Sequence, residues 1–241
     1  MPFPLAHPAA VLPLRRLCPR WLDFPALIIG SVVPDAGYLV NPAHLGIFSH
    51  RLIAGTFGFC LPIGLSAWLI FDRLRDPVLV RLPQSCRAAF PARFPLTPWA
   101  PASVLLSLLL GTFTHWVLDS ATHGRGCFVL HSATLHRPLL QVGHQHLMVF
   151  DGLYYLCTFL GTAMVAGSYL HWLSRTTQLP MIHATSVRWG LAMVIGATVA
   201  VVALNCRTDE PWISGLIVLS GVFGFAAFTA FSLHQSPRTD R

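Results

Sequence analysis

The sequence predicts an all-α fold, a multi-pass transmembrane helical bundle of about five spans preceded by an N-terminal interfacial or re-entrant helical segment. Three observations carry that expectation. Of the 241 residues, 54% are hydrophobic and only 10% charged, with a mean hydropathy of +0.60, which is more apolar surface than one soluble core of this size hides. Apolar runs recur at about the 20-residue length that crosses the roughly 30 Å hydrocarbon layer. The last two of these runs contain no ionisable residue inside the membrane, Arg188 standing at the very start of the first of them.

Residues 1–51 read as neither a span nor a soluble domain. In FPLAHPAAVLPLRR, Pro8 suits the first turn of a helix, and Arg15 and Arg16 fall near its end, where positive charge complements the dipole. A short interfacial helix is expected there. No basic start or unbroken apolar core marks residues 1–14 as a secretory signal, so this segment is expected to be retained. ALIIGSVVPDAGYLV follows, apolar but punctuated by Gly30, Pro34 and Gly37. Irregular backbone at membrane depth needs a cover of protein or a watery cavity, so this stretch is expected to dip in or lie against the spans.

Residues 52–173 hold three expected spans, at 52–71, 100–118 and 149–173, and residues 174–241 hold two more, at 187–204 and 211–233. All are read as one membrane domain, 1–241. The last two look like scaffold, with Gly190, Gly196, Gly215 and Gly221 allowing close helix packing. Residues 73–99 form the most basic linker, with five arginines among five prolines, a density that argues against one long helix. Its interleaved apolar residues suit a segment lying on anionic headgroups, or a solvated loop following the positive-inside rule. The net charge of +7 comes wholly from arginine. In a membrane protein that balance points to anionic lipid rather than to nucleic acid, for which no motif is present. The six cysteines form no CxxC pair and carry no redox message.

One stretch departs from the apolar pattern. THWVLDSATHGRG places His115, Asp119 and His123 at spacings of four. On a helix such neighbours sit about 5 to 6 Å apart on one face, the arrangement by which HExxH helices grip zinc. Eight residues, however, separate His115 from His123 by roughly 12 Å along a straight helix. Either the pairs serve two ions bridged or flanked by Asp119, or the helix ends before His123, as Gly124 and Gly126 permit. Partners must come from elsewhere. Asp35 is the sharpest, because a carboxylate in an apolar setting is costly and is functional or paired, for instance to Arg51. His7 and His50 are further candidates, each with a plainer reading as a helix-end or span-flanking residue. His144 and His146 alternate, so at most one joins a helical site, and His44, His131 and His136 are expected to face water.

The order of MPFPLAHPAAVLPLRR, GSVVPDAGYL, FSHRL and GTFTHWVLDSATHGRG resembles an uncharacterised family of bacterial multi-pass membrane proteins, a domain of unknown function. The likeness covers residues 1 to about 160 and weakens after them. That family in turn resembles the membrane-bound metal-dependent hydrolases of the bacterial inner membrane and, more remotely, the zinc-dependent phospholipases C. The resemblance implies a ligand set of His7, Asp35, His50, His115, Asp119 and His123 for a divalent metal, zinc or manganese. A trinuclear site is not expected, since the only glutamate is Glu210. The implied function is a membrane-embedded hydrolase acting on a phosphoester or lipid-linked ester at headgroup level, with Asp35 or Asp119 as the catalytic proton acceptor when it is not a ligand. No GxSxG nucleophile motif is present. The alternative is a non-catalytic, metal-binding structural or envelope-complex protein. A transporter ranks below it, because the later spans lack ionisable residues and no repeat is seen.

Overall fold

The computed structural model describes residues 6–17, 21–81, 99–142 and 145–176, and these are mostly helical. The chain divides into two compact units, Met1–Tyr169 and Leu170–Arg241; everything that follows concerns the first. Its helices are α1 (Pro8–Leu17), α2 (Phe24–Val40), α3 (Ile47–Ser49), α4 (Leu52–Gly55), α5 (Leu61–Arg81), α6 (Ala100–Thr122), α7 (Cys127–Leu130) and α8 (Val149–Thr176), with π-helical turns at Pro42–Gly46 and Thr56–Cys60. Three stretches are long and apolar enough to cross a membrane: Leu52–Val80, Ala100–Leu130 and Val149–Tyr169. They overlap the first three expected spans. The runs at 187–204 and 211–233 lie outside the described residues.

The apolar stretch expected to be irregular is one continuous helix. α2 keeps Gly30, Pro34 and Gly37 within its 17 residues, giving about 25 Å at 1.5 Å per residue, short of a full crossing. The glycines serve packing instead. A Cβ on Gly30 would strike the Leu108 carbonyl of α6, and one on Gly111 would strike the Leu27 carbonyl of α2, so the two helices touch backbone to backbone. Pro34 has no N–H to give the Gly30 carbonyl four residues back. The Thr112 hydroxyl of α6 donates to that carbonyl instead, at 3.2 Å.

The opposite end of the α2–α6 pair is fixed by Asp23. It caps α2 by accepting from the Ala26 N–H at 2.8 Å, and it also accepts from the Trp68 indole of α5 at 3.0 Å. Its own N–H donates to the Ser107 hydroxyl of α6 at 2.8 Å. Around this anchor Ala26, Val104 and Leu108 form one buried cluster, while Val11 of α1 packs with Leu22 and Leu27 in another.

Two further expectations change. α5 runs through Pro77 to Arg81, so the first nine residues of the proline-rich basic linker are helical. A proline near a helix end removes a bond from only its last turn. Residues 82–98 lie outside the described residues. Between α7 and α8 the chain forms an antiparallel hairpin, β1 (Pro138–Val142) with β2 (Gln145–Met148), which the apolar periodicity did not announce.

Candidate metal centre

His7, Asp35, His50, His115, Asp119 and His123 meet in one cluster, although they come from four separate segments of the chain. His7 immediately precedes α1, Asp35 sits on the last third of α2, His50 ends α3, and α6 carries His115 and Asp119. α6 stops at Thr122, with His123 as its extended C-cap at φ −118° and ψ 139°. The helix therefore ends before His123, and its end turns His123 back towards Asp119.

The distances are short and mutual. His50 Nε2 and His115 Nε2 lie 3.3 Å apart. His115 Nε2 is 3.6 Å from Asp35 Oδ1 and 3.2 Å from Asp119 Oδ2, while His50 Nε2 is 3.7 Å and 3.4 Å from the same two oxygens. His7 Nε2 is 3.8 Å from both Asp35 Oδ2 and Asp119 Oδ1, and His123 Nδ1 is 3.6 Å from Asp119 Oδ1. The His7 and His115 rings stack with centroids 3.9 Å apart. Asp35 therefore faces three imidazoles, and Arg51, offered as its plain ion-pair partner, is exposed.

Proton positions follow from the other side of each ring. His115 Nδ1 is 2.8 Å from the Ser31 carbonyl, and His50 Nδ1 is 2.8 Å from the Gly46 carbonyl. A carbonyl only accepts, so in each ring Nδ1 carries the hydrogen and neutral Nε2 presents a lone pair to the cluster. Two lone pairs 3.3 Å apart, facing carboxylate oxygens, repel unless a cation or a proton lies among them. His7 is fully buried, and neither of its ring nitrogens has a hydrogen-bond partner; the same holds for both oxygens of Asp35, for Asp119 Oδ1 and for His123 Nε2. Orphaned buried groups of this kind are costly. Burial pulls the His7 imidazole well below its ordinary pKa and pushes the Asp35 carboxyl up to about 6.

The donor set fits a divalent cation of the zinc or manganese class, which takes imidazole nitrogen together with carboxylate oxygen. The donor atoms of His7, Asp35 and His115 all lie within 4.8 Å of one another, as do those of His50, His115 and Asp119. Hydrogen bonds from metal-binding imidazoles to backbone carbonyls are the usual outer support of such sites. These carbonyls, Ser31 and Gly46, were not legible in the sequence, because a backbone group leaves no residue signature. Ser49 was missed as well: its buried hydroxyl donates to the Pro34 carbonyl at 2.7 Å and holds the segment before His50 against α2.

The cluster has a closed floor and an open mouth. His7 and His115 are fully buried and Asp35 nearly so, whereas His50, Asp119 and His123 retain 19%, 13% and 30% of their side-chain surface. Arg51 beside His50 and Arg125 two residues past His123 are both exposed. Tyr38 and Tyr154 flank the rim, with ring centroids 5.0 Å from His50 and 6.3 Å from His123. An apolar groove lined by Leu52, Ile53, Phe57, Leu109, Phe113 and Trp116 runs beside the turn of α6 that carries His115. His44, His131, His136 and His146 are exposed and outside the cluster, as expected; His144 lies outside the described residues.

A family model described as "Domain of unknown function (DUF4184)" matches residues 1–236. No curated protein and no solved structure matches the chain.

Proposed function

We propose, for a chain that belongs to this family of unknown function, that the cluster is the active site of a membrane-embedded, metal-dependent hydrolase acting on a phosphoester or lipid-linked ester at headgroup level. The observation that carries the reading is the convergence of unprotonated Nε2 atoms from His50 and His115 on two carboxylates, with the far side of each ring tied to a backbone carbonyl. A divalent cation held by these atoms supplies Lewis-acid polarisation and a more acidic water.

The chain's own residues divide the remaining work. Asp119, at the mouth, and Asp35, on the floor, would hold the cation together with the imidazoles that face them. Water adds to the phosphorus or acyl carbon, the bond to the leaving oxygen breaks, and the water's proton leaves through the open mouth to solvent, which also protonates that oxygen. Arg51 and Arg125 give the mouth a positive rim suited to a phosphate, and the groove beside it suits the aliphatic part of a lipid. The finer placement, in a bacterial inner membrane, rests on the resemblance of the sequence motifs.

The test is metal content by elemental mass spectrometry on detergent-purified protein, paired with hydrolysis of a phospholipid and of a lipid-linked phosphoester in mixed micelles. Zinc or manganese retained by the wild type, lost in His115→Ala and Asp119→Asn, together with chelator-sensitive hydrolysis, is the expected outcome. Retained metal with no hydrolysis of any ester offered moves the assignment to a structural, metal-stiffened membrane protein.

A further inference from the structure

The donors do not form one ring around one point; they sort into two sets, and the oxygens do the sorting. Asp35 Oδ1 and Asp119 Oδ2 are the oxygens nearest His50 and His115, at 3.2 to 3.7 Å. Asp35 Oδ2 and Asp119 Oδ1 are the oxygens nearest His7, each at 3.8 Å. Each carboxylate thus turns one oxygen to His50 and His115 and the other to His7. His123 stands apart, because its Nδ1 is 3.1 Å from the Asp119 backbone carbonyl and carries the hydrogen of that bond. His115 lies within reach of both His7 with Asp35 and His50 with Asp119, but its single Nε2 lone pair serves one ion only, because Nδ1 is committed to the Ser31 carbonyl.

From this partition we infer that the site holds two divalent cations bridged by both Asp35 and Asp119. His50 and His115 would hold one, and His7, with Asp35 Oδ2 and Asp119 Oδ1, would hold the other. His7 supplies the independent support: it is fully buried, faces the cluster, and has a partner on neither nitrogen. A single ion on the His50 and His115 side would leave His7, Asp35 Oδ2 and Asp119 Oδ1 buried and unsatisfied. The second ion removes that cost.

The inference rests on the metal-dependent reading of the same site and adds its nuclearity. The full chain, stripped by chelation and reloaded with manganese(II), is assayed for manganese per chain and by electron paramagnetic resonance. Two ions per chain with an exchange-coupled spectrum are expected in the wild type, falling to one ion and an uncoupled spectrum in His7→Gln. One uncoupled ion in the wild type overturns the bridged pair while leaving the hydrolase reading intact, and no bound ion overturns both. Two coupled ions surviving in His7→Gln overturn the assignment of the second site. Because the wild-type spectrum decides nuclearity by itself, a variant that fails to fold does not shield the inference.

Discussion

At the scale of single residues, the cluster shows how protonation and metal uptake compete. Asp35 has its carboxyl raised by burial to about 6, whereas burial keeps His7 unprotonated at neutral pH. Below pH 6 a cation must therefore displace a proton from Asp35, while His7 asks for no such exchange until the solution is more acidic. Apparent zinc affinity is expected to fall by about tenfold or more per pH unit below 6, as at least one proton is released per binding event. Calorimetric titration in two buffers of different ionisation enthalpy counts that proton; a flat profile from pH 5 to 7.5 would sink the role given to Asp35. Arg51→Ala makes the complementary test at the mouth. It should leave metal content unchanged and raise KM for an anionic substrate about tenfold, roughly the 1.4 kcal/mol of one charge-assisted contact.

At the scale of elements, the crossing of α2 and α6 positions the site. The Gly30 and Gly111 contacts let the backbones touch, and this places Ser31 where His115 reaches its carbonyl. Gly111→Val is expected to destabilise the bundle by about 1 to 3 kcal/mol through overpacking and to lower metal occupancy in parallel; near-wild-type melting in detergent would show that the helices do not cross this closely. Pro34→Ala tests a different link. It restores an N–H for the Gly30 carbonyl, competing with Thr112, so zinc affinity should drop severalfold while the fold survives, as judged by circular dichroism. These two positions also show what was legible in the sequence. The residues that cluster were, through the spacing of four on α6, the carboxylate in an apolar context and the resemblance of the motifs. The glycines and Pro34 were read as breaks in α2. Within a helix, glycine equally permits close approach, and proline leaves a carbonyl free for a neighbour; which of these applies depends on the partner helix, which a linear reading does not supply. The β1–β2 hairpin was missed for a similar reason: its residues pair with each other, and no alternating buried face announces them.

At the scale of the whole molecule, the chain belongs to a family whose model extends over residues 1–236, further than the motifs that first suggested it, which fade after about residue 160. The clustered residues all lie within the first 123. The centre lies at the start of one membrane-length stretch and towards the end of the next. His50 comes two residues before Leu52–Val80, and His123 lies in the last turns of Ala100–Leu130. Where both stretches cross, the chain returns to the side it left, and residues near 50 and near 130 share a compartment whichever way the pair is inserted. The exposed Cys127 and a cysteine introduced as Arg51→Cys should react with an impermeant maleimide from the same face of sealed vesicles; labelling from opposite faces would exclude the two-crossing arrangement. The floor of the site has a consequence in time as well as in space. His123 leaves the ribosome more than a hundred residues after His7. The cluster is therefore complete only once synthesis has passed His123, and on the proposed reading its cations enter through the open mouth, so that the compartment the mouth faces sets which ion is offered.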